Sequence, residues 1–133
     1  MSPSAAVLLC ALDLLSRSRA LAPIELLPSP PPQASRNVEA FVTHNPDTIY
    51  LITSTAVFQE ALSARWPSAR REACLKLASI IVHEEWHLRH GADERGAYLA
   101  QLTTLQALGA ATSTFNSVRK SMAAVVDARF KAP

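Results

Sequence analysis

The chain has 133 residues, a length that supports one hydrophobic core and not two. Apolar residues make up 49% and charged residues 18%, the balance of a folded soluble domain. A net charge of +2 is too small to argue for nucleic acid or an anionic membrane surface as partner. There is no internal repeat and no glycine-rich phosphate loop, so residues 1–133 read as a single domain.

A first helix is expected over residues 3–18, where Leu8, Leu12 and Leu15 form one stripe with Leu9 beside it. The apolar run within it, followed by Ala20-Leu21-Ala22, imitates a secretion signal. No Lys or Arg precedes that run, Asp13 interrupts it, and Arg17 and Arg19 stand just before the supposed cleavage point. The run is also too short to span a bilayer, so a cytoplasmic location is expected. Cys10 and Cys74 each sit in an apolar stretch with no C-x-x-C spacing, and are read as separate buried thiols, which leans towards a reducing compartment. A short extended piece at 24–27 leads into Pro28-Ser29-Pro30-Pro31-Pro32, read as a stiff polyproline connector. Residues 38–43 and 48–53 are strand-like around Asn45-Pro46-Asp47, which suggests a β-hairpin. Helices are expected over 56–65, 70–90, 93–108 and 113–130, the last burying Phe115, Val118, Met122 and Val125/Val126. The layout is α+β, with a hairpin or three-stranded sheet packed on a helical layer.

The helix over 70–90 carries the chemistry. Ala73-Cys74-Leu75-Lys76-Leu77-Ala78-Ser79-Ile80-Ile81-Val82 is apolar on nearly every side, as in a buried helix, and runs without Pro or Gly into His83-Glu84-Glu85-Trp86-His87. On a helix His83 and His87 lie one turn apart on one face, near enough to bind one ion, and Glu84 projects beside them as a candidate base. Two imidazoles at the end of a buried helix are costly unless paired or ligated. A catalytic zinc site needs a third protein ligand and an open position. His90 shares the face but stands about 10 Å along the axis from His83, too far for the same ion, and is read as a supporting or helix-end residue. After Gly91, the expected cap, Asp93 and Glu94 open the next helix. Glu94 is the expected third ligand; Asp93 is the alternative, although aspartate there caps a helix whatever the function. Tyr98, four residues beyond Glu94, is placed to bond that carboxylate or to stabilise an oxyanion. Glu85 and Trp86 read as packing or rim residues, and His44 as solvated beside its turn.

The segment His83-Glu84-x-x-His87 resembles the active-site helix of the zincin metallopeptidases, and the pattern through Asp93-Glu94-x-x-Ala97-Tyr98 is similar to small uncharacterised bacterial zincin-like proteins. The resemblance covers residues 80–101. It implies a minimal zincin-like domain with a central HExxH helix, Zn²⁺ as cofactor, and the gluzincin ligand set His83, His87 and Glu94. It departs from gluzincins in spacing, since they usually place that glutamate much further downstream. The implied activity is peptide-bond hydrolysis by a zinc-activated water, with Glu84 as general base and Tyr98 assisting. The implied partner is a peptide or protein substrate bound along an edge strand, with 48–53 the first candidate and 38–43 the second. Two other readings stand beside this one: a metal-stabilised domain without turnover, and a helical interaction domain in which both histidines are core residues.

Overall fold

The computed structural model describes residues 1–17, 19–34 and 38–128. The elements in chain order are α1 (Pro3–Leu14), β1 (Ile24–Leu27), β2 (Ala40–Thr43), β3 (Thr48–Ile52), α2 (Ala56–Ser63), α3 (Pro67–His90), α4 (Glu94–Ala107) and α5 (Thr112–Ala128). The mixed α+β layout anticipated from the sequence is the one observed. Ser18 and Phe130, the expected ends of the first and last helices, lie outside the described residues. Among those residues no helix is long and apolar enough to cross a membrane.

Local chemistry explains most of the boundaries. Ser2 caps α1 by accepting from the Ala5 N–H at 3.1 Å, with Pro3 at the first helical position. The helix stops at Leu14, short of the expected end, because Ser16 takes φ 56° in the left-handed region. Pro67 starts α3 three residues earlier than expected: its fixed φ suits the first turn, where its missing N–H has no partner to lose. The proline-rich connector is turned rather than uniformly extended, since the Ala34 N–H donates to Pro31 O at 2.9 Å.

The sheet has the order β1-β3-β2. β2 and β3 form the antiparallel hairpin, with Phe41 opposite Tyr50 and their rings stacked at 4.8 Å. β1 adds in parallel on the other side, with Ile24 opposite Ile49. β3 is therefore the central strand, which corrects its assignment as the substrate-binding edge. Its N–H and C=O groups are taken up on both sides; the free edge facing the motif helix belongs to β2.

One main cluster gathers Val7, Ala11 and Leu12 of α1, Ile49 and Leu51 of β3, Phe58 of α2, and Leu77, Ala78 and Ile81 of α3. Phe58 and Ile81 are wholly buried, and truncating such a phenylalanine to alanine costs about 3–5 kcal/mol. Residues Leu102, Leu105 and Val118 form a smaller cluster between α4 and α5. Cys10 and Cys74 are joined by a disulfide, with Cα atoms 6.1 Å apart, tying α1 to α3. This corrects the expectation of two separate thiols. Both cysteines face the same core, and their apolar surroundings, read as packing, are also what brings them together. The argument for a reducing compartment falls with it.

Candidate metal centre

α3 and α4 form a tight helical hairpin. Gly91 makes the reversal at φ 85°, a conformation that a side chain resists, and the Asp93 carboxylate then caps α4 by accepting from the Arg95 N–H at 3.1 Å. That use of Asp93 leaves Glu94 to turn towards α3. Its Oε1 lies 3.6 Å from His83 Nε2 and makes a shorter contact with His87 Nε2. His83, Glu84 and His87 in turn each bring a ligand-type atom within 4.8 Å of the others. The structure thus brings together all four polar residues singled out in the sequence for metal and proton chemistry, and Tyr98 packs edge-on against the His83 ring at 4.6 Å.

The orientation of both imidazoles is set from behind. His87 Nδ1 lies 2.7 Å from Gly91 O, an acceptor only, so Nδ1 carries a hydrogen. His83 Nδ1 lies 2.8 Å from Gln101 Oε1, and Gln101 Nε2 donates to Ser79 Oγ at 3.1 Å. With Nδ1 occupied on each ring, both Nε2 atoms point at Glu94. Two imidazole nitrogens and one carboxylate, with room for a further group, are the donor set of a catalytic zinc site. The residues present therefore fit a divalent ion such as zinc.

Electrostatics follow from burial and these contacts. The Glu94 carboxyl is held far below the usual carboxylate range by its contacts with His83 and His87. His87 is raised to about 9, chiefly by Glu94. Burial raises Glu84, against the pull of His83 and His87, and its Oε2 is a buried oxygen with no hydrogen-bond partner among the described residues. Burial also pushes Tyr98 up to about 12, so its phenol keeps its proton at neutral pH.

These side chains line a cleft of about 370 Å³, closed on one side by Val38–Val42 and on the other by α3, α4 and Val118 of α5. A second depression continues past His87 and Glu94, between Val42, His44 and Gly91. His44 is exposed and pairs with Asp47 at 3.0 Å. His90 stays outside the cleft, exposed, its ring tilted against Trp86 with centroids 4.5 Å apart. Trp86 covers Gly96, where an added Cβ would fall 2.2 Å from its ring. Glu85 is buried and accepts from Arg17 Nη1 at 2.6 Å and the Leu21 N–H at 2.8 Å, fastening the segment after α1 to the motif helix.

Ser79 and Gln101 escaped the sequence reading. The signal was present as spacing: Ser79, His83 and His87 recur every four residues on α3, and Glu94, Tyr98 and Gln101 follow at i, i+4 and i+7 on α4. Folding the two stripes back at Gly91 pairs His87 with Glu94, His83 with Tyr98, and Ser79 with Gln101. Compared with known proteins, the chain matches no family model, no curated protein and no solved structure.

Proposed function

We propose that the chain is a zincin-like, zinc-dependent metallopeptidase that hydrolyses peptide bonds at the α3–α4 hairpin. One observation carries the reading: His83 Nε2, His87 Nε2 and the Glu94 carboxylate converge beside the buried Oε2 of Glu84, which has no partner among the described residues. A core pair of histidines needs no such carboxylate, and a purely structural site needs no base. His83, His87 and Glu94 would hold the zinc, which when bound would supply Lewis acidity at this end of the cleft. Glu84 takes the proton from the attacking water and returns it to the leaving amine, two tasks that a burial-raised carboxyl is suited to. Tyr98, protonated, donates a hydrogen bond to the developing oxyanion.

The free edge of β2 walls the cleft, so an extended substrate segment adds to the sheet there rather than at β3. The cleft and its continuation leave space on both sides of His87 and Glu94, which suits cleavage within a chain. The disulfide favours an oxidising compartment over the cytoplasm expected from the sequence.

Metal content of the purified protein tests this first, wild type beside His83→Ala and Glu94→Ala. About one zinc per chain, lost in both variants, together with cleavage of a peptide library that Glu84→Gln abolishes, is the expected result. Absence of zinc after reconstitution sinks the reading. Zinc without turnover leaves a metal-stabilised domain.

A further inference from the structure

We infer that Gln101, itself held by Ser79, is a positioning residue that fixes His83 in the Nδ1–H tautomer and so keeps Nε2 free to accept a metal. The argument starts at Ser79, which is wholly buried and donates its hydroxyl hydrogen to Lys76 O at 2.6 Å. That hydrogen spent, Ser79 Oγ offers only lone pairs towards α4. The group facing it at 3.1 Å must therefore be the Gln101 amide nitrogen, and the amide oxygen must face His83. Turning the amide around would set two oxygens against each other inside the protein. It would also put an N–H against His83 Nδ1, forcing the ring hydrogen onto Nε2, where it would block ligation. Gln101 is itself buried, so water cannot take over either bond. The chain Lys76 O, Ser79, Gln101, His83 thus transmits a fixed direction from the α3 backbone to the ring that faces Glu94.

The affinity arm of this proposal rests on the metal reading above; the tautomer arm does not. Nitrogen-15 spectra of the metal-free protein, with labelled histidine, report the tautomer of the neutral His83 ring directly, and competition with a chromogenic chelator reports zinc affinity. Wild type is expected to show His83 as Nδ1–H. Gln101→Leu is expected to shift population towards Nε2–H and to weaken zinc binding about 10- to 100-fold. Ser79→Ala is expected to give a smaller loss that disappears in the Gln101→Leu background, since the serine acts only through the amide. An unchanged tautomer in folded Gln101→Leu overturns the inference. Should Gln101→Leu fail to fold, an unchanged His83 spectrum in Ser79→Ala overturns it instead. A wild type that takes up no zinc defeats the metal reading alone, and the spectra still decide the tautomer.

Discussion

Burial sets the chemistry available to Glu84, whose Oε2 has no donor among the described residues to steady its charge. Removing its basicity while keeping its shape is therefore the sharpest single change: Glu84→Gln should retain zinc and lose about 10²–10⁴-fold in peptide hydrolysis. Comparing turnover with bound zinc in the same sample checks it. His87 and Glu94 make the metal-free protein pH-sensitive in opposite senses. His87 lies near 9 in the folded chain against an ordinary 6.5, so its stabilising share is full below pH 6.5 and lost as pH rises through about 9. Glu94 is depressed from 4.5, so its share is present above pH 4.5 and lost as pH falls through its lowered value. Denaturant unfolding of the zinc-free protein should show this pair's contribution greatest between those limits. Because zinc must displace the His87 proton, apparent zinc affinity should rise about tenfold per pH unit between about pH 6 and 8. An affinity flat across that range would show that His87 is not a ligand.

At the scale of elements, the α3–α4 hairpin was legible because its signals are local: an apolar helix, Gly91 for the reversal, Asp93 for the cap, and Glu94 one position on. The edge assignment was not, since β2 and β3 have similar composition and only the parallel docking of β1 decides which of them is central. No local pattern announces that pairing. The disulfide was missed for a related reason: which apolar faces meet is a property of the packed chain. Close packing of the hairpin makes a further prediction. Gly96→Ala places a Cβ against the Trp86 ring and should cost about 1–3 kcal/mol as the helices separate. Zinc affinity should fall with it, because Glu94 rides on the displaced helix. Thermal melts and zinc titration of Gly96→Ala, with and without Trp86→Leu to relieve the clash, distinguish steric pressure from an effect of the helix alone.

For the whole molecule, the Cys10–Cys74 bridge spans a sequence separation of 64 and anchors the helix that carries the histidines. By loop-closure entropy it stabilises the fold by about 4 kcal/mol, so Cys10→Ala/Cys74→Ala should melt about 15 °C below wild type. Calorimetry beside the thiol-reduced wild type checks the figure. The salt bridge of Arg17 to Glu85 acts in the same place, holding the segment after α1 against α3. The metal-facing groups themselves need none of these distant partners. Every one of them, with its supporting Ser79 and Gln101, falls within residues 79–101, on two helices joined by a short turn. Contacts so close in sequence form early, ahead of long-range strand pairing. On the zinc reading proposed above, an ion would be captured by a hairpin still assembling, before the sheet and disulfide close around it. Trp86, wedged against Gly96 inside that hairpin, is the natural reporter: its fluorescence should reach the native value sooner in refolding when zinc is present from the start.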